Sequence, residues 1–198
     1  MREGIVPIPT DRPVWEQVYT VAPLVLVGSR EEDGGYDLAP KHLALPVGWQ
    51  NLFAFVCTPR HHTYANVARH GQFTVSFPTP DQILATSLAA GARAEDGSKP
   101  SLAVLSTFPA SAVDGVLVEG AHLFLECELE RTIDDLGDYS LVIGRIVAAS
   151  AAEVALRSHD RDDADVVHQA PLLAHVSPDR FAAIDDSRSF PFPADLQW

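Results

Sequence analysis

The chain has 198 residues and a net charge of −13, from 27 acidic against 14 basic side chains. Nucleic acid is therefore excluded as a natural partner, because binding a phosphate backbone needs clustered Lys and Arg. Hydrophobic residues make up 46%, enough for one sizeable core and too many for a disordered chain, yet no run approaches the roughly eighteen apolar residues of a membrane span. The opening M-R-E-G-I-V-P-I-P-T is too short and too broken by proline to read as a signal peptide. These features predict one soluble, cytoplasmic domain over 1–198, with a core over about 15–185. Cys57 and Cys127 lie in apolar runs without a C-x-x-C spacing, and read as buried free thiols compatible with a reducing compartment.

Val14 to Thr20 leads into a first strand, Leu24 to Ser29, rich in leucine and valine. Asp33-Gly34-Gly35 supplies the turn of a hairpin, and Tyr36 to Lys41 returns, with Pro40 marking an edge or a strand end. Leu43 to Gln50, broken by Pro46 and Gly48, reads as loop, and Leu52 to Thr58 as a third strand. Thr63 to His70 has the pattern of a short helix with Gly71 as its C-cap. Gln72 to Phe77 alternates as a half-buried strand does. Thr79-Pro80-Asp81-Gln82 is a capping-box start for a helix reaching about Ala90.

Gly91 to Pro100 reads as an exposed polar loop, followed by a short helix near Ser101 to Ser106. Strands are expected over Val116 to Glu119, His122 to Arg131 and Tyr139 to Ala149, with Ile133 to Asp138 as a turn. Arg157 to Asp165 is a charge-rich loop, and Leu172 to Val176 and Phe181 to Ile184 are short terminal strands. The tail 186–198 carries aromatics that are costly to leave in water, and is expected to cover the barrel or a partner subunit. Many short strands with turns every eight to twelve residues and few helices indicate a mainly β protein, a closed or split barrel.

No G-x-G-x-x-G, G-x-x-x-x-G-K-[ST] or G-x-S-x-G occurs, so a Rossmann site, a P-loop and a hydrolase elbow all lack support. A metal site lacks support too: H-x-x-x-H is absent, and adjacent His61 and His62 point apart on an extended chain. What stands out is a run of polar and cationic residues, Thr58 to Thr63, delivered by an apolar strand onto a helix start. Unpaired backbone N–H groups and the helix dipole favour negative charge there, so the cluster reads as an anion site. A solvated loop in which Thr63 is an ordinary N-cap is the alternative.

The ordered set A-P-L-V-L-V-G-S, D-L-A-P-K-H and C-T-P-R-H-H-T-Y-A-N-V-A-R-H-G-Q-F-T-V-S resembles the flavin reductase-like family, which includes flavoredoxin and the reductase components of two-component monooxygenases. V-E-G-A-H-L-F-L-E-C-E-L resembles that family's stretch near the dimer interface, and L-G-D-Y-S-L-V-I-G-R-I-V-A-A its G-D-H-x-L-x-x-G-x-V stretch. The resemblance implies an FMN-binding split β-barrel with Greek-key-like order, a homodimer, FMN or FAD as cofactor, and NADH or NADPH as electron donor. It further implies that Ser29 lies beside the flavin ring, that Asp37, Leu38 and Ala39 contact the ring's polar edge, and that Lys41 and His42 face the ribityl chain or phosphate. Thr58, Arg60, His62 and Thr63 are implied to bind the phosphate, with Asn66 bracing the loop.

Three residues depart from the family pattern. Asp37 stands where Asn is common, His42 where a small polar residue is common, and Tyr139 in place of the His of G-D-H, on the expected nicotinamide side. The reading is therefore an NAD(P)H:flavin oxidoreductase passing electrons to free flavin, oxygen or a monooxygenase component. Two alternatives stand beside it: a non-catalytic flavin or small-ligand binder on the same barrel, and a pyridoxamine-phosphate-oxidase-like enzyme, whose site calls for more arginines. No side chain is required as acid or nucleophile, since the cofactor carries the chemistry.

Overall fold

The computed structural model describes residues 4–95 and 97–191. A curled seven-stranded sheet forms the body, with strands β2 (Val25–Arg30), β3 (Tyr36–Lys41), β4 (Ala44–Pro46), β5 (Leu52–Cys57), β6 (Gln72–Phe77), β9 (Leu123–Leu136) and β10 (Tyr139–Ala151) in the order β3-β2-β6-β9-β10-β5-β4. Every neighbouring pair is antiparallel. A three-stranded sheet joins β1 (Thr20–Pro23), β11 (Leu172–Ser177) and β12 (Arg180–Ile184), and a short ribbon pairs β7 (Thr107–Pro109) with β8 (Val116–Val118). The helices are α1 (His62–His70), α2 (Ile83–Leu88) and α3 (Asp163–Gln169). The architecture is the mainly β split barrel that the strand spacing predicts, and among the described residues no helix is long and apolar enough to cross a membrane.

The core forms where alternating strand positions meet inside the curl. Val25, Val27, Phe53, Phe55, Phe73, Val75, Cys127 and Val142 are all buried there, with Val67 of α1 closing one side. Phe55 and Phe73 meet edge to face at 5.3 Å, an arrangement that adds about 0.5–1.5 kcal/mol beyond area burial. Gly144 makes room for this packing: a Cβ there would strike the Phe73 ring and lie 3.0 Å from the Cys127 Cβ. Both cysteines are buried and free, and burial pushes the Cys127 thiol up to about 12, leaving it inert.

Strands β3 and β6 take their predicted bounds, and the predicted strands at Leu24, Leu52, Val116, Tyr139, Leu172 and Phe181 shift by a few residues. Several other elements differ from the sequence expectation. Thr20–Pro23, where only Thr20 was assigned, to the lead-in, is a separate strand on β11. The loop Leu43 to Gln50 contains β4, three residues paired to β5, and Thr107–Pro109 pairs with β8. The turn expected over Ile133 to Asp138 is mostly strand, because Leu141 pairs with Ile133 and Tyr139 with Leu136, so the ribbon β9–β10 turns only at Gly137 and Asp138.

The capping box at Thr79 is present, but it opens a single 3-10 turn before α2, which stops at Leu88 rather than Ala90. The short helix expected near Ser101 to Ser106 is also 3-10, over Pro100–Val104. Part of the charge-rich loop is α3, started by Asp162, whose carboxylate accepts from the Ala164 N–H at 2.8 Å. Charge patterning hid an ordinary acidic N-cap. Residues 192–198 of the expected covering tail lie outside the described residues.

Candidate functional site

The site is assembled at the open edge of the sheet. β2 and β3 form a hairpin in which Ser29 faces Asp37 and Gly28 faces Leu38. Its turn is tied by the Glu31 N–H to the Gly35 carbonyl at 2.8 Å and by the Gly35 N–H to the Asp33 carboxylate at 2.9 Å. Gly34 at φ 89 supplies the left-handed backbone that the turn needs. On the far side β5 delivers the chain through Thr58 and Pro59 into α1. That helix starts at His62 with His61 as an extended N-cap lacking a side-chain bond, one residue before the predicted Thr63. The chain turns into the helix between the two histidines, so His61 and His62 do not point apart as the extended reading expects; both face the same cleft.

A cavity of about 330 Å³ lies between β3, the head of α1 and the segment Ala89–Arg93. Asp37, Ala39 and Lys41 line one wall, His61, His62 and Thr63 a second, and Arg93 and Lys99 a third; Arg60 stands at the mouth. Lys41 and Lys99 are the only two lysines of the chain, and both line this one cavity. In a protein of net charge −13, that placement concentrates scarce positive charge in the cavity.

The sequence reading took residues 91–100 for an exposed polar loop, and most of its described residues are exposed, but Arg93 and Lys99 turn inward over β3 and were not singled out. The Lys99 ammonium lies 3.0 Å from Asp37 Oδ1 and donates to the Leu38 carbonyl at 2.9 Å, with its side chain only 9% exposed. Arg93 reaches Asp37 Oδ1 at 3.3 Å, pairs closely with Glu31, and donates to the Gly97 carbonyl at 2.8 Å. Asp37, 3% exposed, thus adds no net negative charge to the cleft, because two cations cover it. The available signal was the rarity of lysine; it singles out Lys99 as readily as Lys41.

The remaining predicted residues are spread around the cavity. Asn66, buried on α1, donates to Ser29 Oγ at 3.1 Å, and so ties the helix to β2 behind the cavity. The Leu38 side chain points the other way, into a small core with Leu26, Ala89, Leu105 and Val118. Thr58 is buried with its hydroxyl unpartnered, beneath the turn that carries Arg60. His42 stacks on His175 of β11 with ring centroids 4.1 Å apart, joining the small sheet to the barrel. Tyr139, half exposed, borders a shallow depression that shares Thr58 and Arg60 with Asp134 and Asp138, and Arg60 approaches Asp138 at 3.7 Å with both side chains in solvent.

Burial, then the neighbouring Lys41 and Arg60 charges, holds the His61 imidazole below its ordinary pKa. Burial, then His175 and Lys41, does the same to His42. Burial raises the Cys57 thiol, against the opposing pull of Lys41. The cavity wall is therefore an excess of positive charge that protonation of His61 would increase, and an entering anion is the group that relieves it.

The fold is a split β-barrel with a cation-lined cleft at the head of its first helix. A sequence model described as "Flavin reductase like domain" matches residues 19–177, and the chain belongs to that family, a class of flavin-dependent oxidoreductases. Among solved structures it is similar to nitrilotriacetate monooxygenase component B from Bacillus cereus, at 19% identity over 96% of this chain and 100% of that one, TM-score 0.79. It is likewise similar to flavoredoxin from Methanosarcina acetivorans, at 18% identity over 96% of both chains, TM-score 0.77. A third is Pseudomonas fluorescens 2-nitrobenzoate 2-nitroreductase, at 21% identity over 89% and 87%, TM-score 0.75. At these identities the likeness is one of fold.

Proposed function

We propose that the cleft holds the FMN portion of a flavin nucleotide and that the protein is a homodimeric NAD(P)H:flavin oxidoreductase. The convergence of both lysines with Arg60, His61 and His62 on one cavity at a helix start carries this reading. The residues fit the group. A dianionic phosphate matches the free N–H groups at the head of α1 and the cations Lys41 and Arg60. When bound, the flavin supplies two-electron chemistry, taking a hydride from reduced nicotinamide and passing electrons to oxygen, free flavin or a monooxygenase component.

Each part of the chain then has a task. Lys41, His61, His62 and Thr63 fix the phosphate, and Asn66 holds α1 against β2 so that this wall does not shift. Ala39 and the β3 backbone face the ring. Lys99, by gripping the Leu38 carbonyl and Asp37, pins the 91–99 loop across the ring edge and keeps water from that side. Tyr139 borders the neighbouring depression that also includes Arg60, on the side where we expect a nicotinamide dinucleotide to approach. No side chain serves as a nucleophile.

Titrating the protein with FMN and following flavin fluorescence tests the binding half: saturable quenching is expected, and none at tens of micromolar sinks the reading. Lys41→Ala should weaken FMN by about 1.5–3 kcal/mol, the worth of one charge-assisted bond. Anaerobic mixing with NADH and NADPH tests the catalytic half. Bleaching of the flavin band is expected; an unchanged band with bound flavin leaves a binding protein only.

A further inference from the structure

The seam between the two larger sheets is closed by a pair of histidines. His42 occupies the corner where β3 passes to β4, and His175 lies on β11, the middle strand of the three-stranded sheet. Their rings stack 4.1 Å apart and 21° from parallel, and both side chains are half-buried. Covalently, β1 runs into β2 through Leu24; the ring stack ties β11 to the end of β3. The charged surroundings of the pair are few. Lys41, the last residue of β3, disfavours a proton on His42, and Asp179, in the turn between β11 and β12, favours one on His175. Neither β1 nor β4 carries a titratable side chain. Arg180 of β12 pairs with Val176, one residue from His175, and so belongs to the other face of that sheet. Cys57, the only titratable residue of β5, is held neutral by burial, and His61 of the cleft feels the same Lys41 charge.

Two neutral imidazoles attract by dispersion when stacked, whereas two imidazolium rings at that separation repel, in a seam where water screens them poorly. We propose that the His42–His175 stack is a proton-operated joint, which holds the three-stranded sheet against the barrel while both rings are neutral and releases it when they are protonated. Burial is the largest cause that lowers the proton affinity of each ring; the neighbouring ring and then Lys41 add to it at His42, and Asp179 opposes it at His175. The joined state therefore binds protons less readily than a separated one. The joint is at full strength above the ordinary histidine value of 6.5 and weakens as pH falls toward the folded values. Because Lys41 directly precedes His42 and lines the cleft, release of the joint also frees the end of one cleft wall.

Hydrogen exchange of the full chain at about pH 7.5 and about pH 5 tests this, read as protection factors so that the pH dependence of the exchange chemistry cancels. In the parent, the amides of β1 and β11 should lose protection by at least about tenfold on acidification, while those of β6 keep theirs. His42→Phe and His175→Phe each retain a ring and remove one protonation site. Either should shrink the loss, and the two together should abolish it. A parent whose β1 and β11 stay protected overturns the proposal. So does a loss as large in both variants as in the parent, which assigns the effect to His61 or His122 instead. Imidazole resonances followed by NMR give a second reading that needs only one variant: the His42 midpoint should rise in His175→Phe, and an unmoved midpoint refutes the coupling. None of these results depends on what the cleft binds.

Discussion

Asp37→Asn is the substitution that most directly tests how the cleft is held together. A unit pair at 3.0 Å, the Lys99–Asp37 separation, gains roughly 5 kcal/mol at an effective dielectric of about 20, most of it offset by desolvation. Asparagine keeps a hydrogen-bond acceptor and the shape of the side chain, and Lys99 keeps the Leu38 carbonyl. What is lost is the negative charge beneath two nearly covered cations, Lys99 and Arg93. The ligand-free protein should therefore lose about 1–3 kcal/mol, a fall of about 1 M in urea midpoint for a protein of this size. The same change leaves the cavity one unit more positive, so FMN should bind about tenfold more tightly, a gain near 1.4 kcal/mol. Urea unfolding with and without FMN, together with a binding isotherm, measures both arms. A variant as stable as the parent that binds FMN no better would refute the view that Asp37 neutralises the loop cations.

Other perturbations read other parts of the molecule. Gly144→Ala forces a methyl against the Phe73 ring and the Cys127 Cβ, and should cost about 1–3 kcal/mol by overpacking; an unchanged thermal midpoint would show that the sheet yields there. Burial pushes the Glu126 pKa up, but the N–H groups of Ala112, Ser111 and Val113 and the Ser111 hydroxyl outweigh it and hold the carboxyl below its usual range. Glu126→Gln should therefore destabilise by about 1–3 kcal/mol, with the difference from the parent shrinking as pH falls from 4.5 through the folded value. Four histidines, 42, 61, 122 and 175, have folded pKa values depressed below 6.5, chiefly by burial. On acidification the unfolded chain takes up those protons first, so stability is full above about 6.5 and declines as pH drops toward the folded values. Urea midpoints that stay flat between about pH 8 and pH 5.5 would contradict this.

What the sequence made legible was whatever a short window determines. Gln72 to Phe77 alternates apolar and polar residues over its whole length, and its strand has those bounds; the hairpin at Asp33-Gly34-Gly35 follows from the backbone freedom of glycine. The helix-side half of the cleft was visible because Lys41, Arg60, His61 and His62 lie within one stretch of chain. The loop half was not. Nothing within G-A-R-A-E-D-G-S-K-P separates buried cations from solvated ones, since the partners of Arg93 and Lys99 are Glu31 and Asp37, each 62 positions away. Only the folded sheet brings them together. Short strands such as Ala44–Pro46 were hidden for a related reason, because three residues carry no period and their pairing is decided by β5.

The confinement of both lysines to the cleft also changes how the protein can be handled. Amine-reactive dyes, biotin esters and coupling resins aimed at lysine would modify the cleft itself rather than an indifferent surface, and a ligand seated there would shield it. For the same reason, isotope enrichment of lysine alone would place just two side-chain reporters in the spectrum. Both would look into the cleft, one from the strand that forms its wall and one from the loop that closes it.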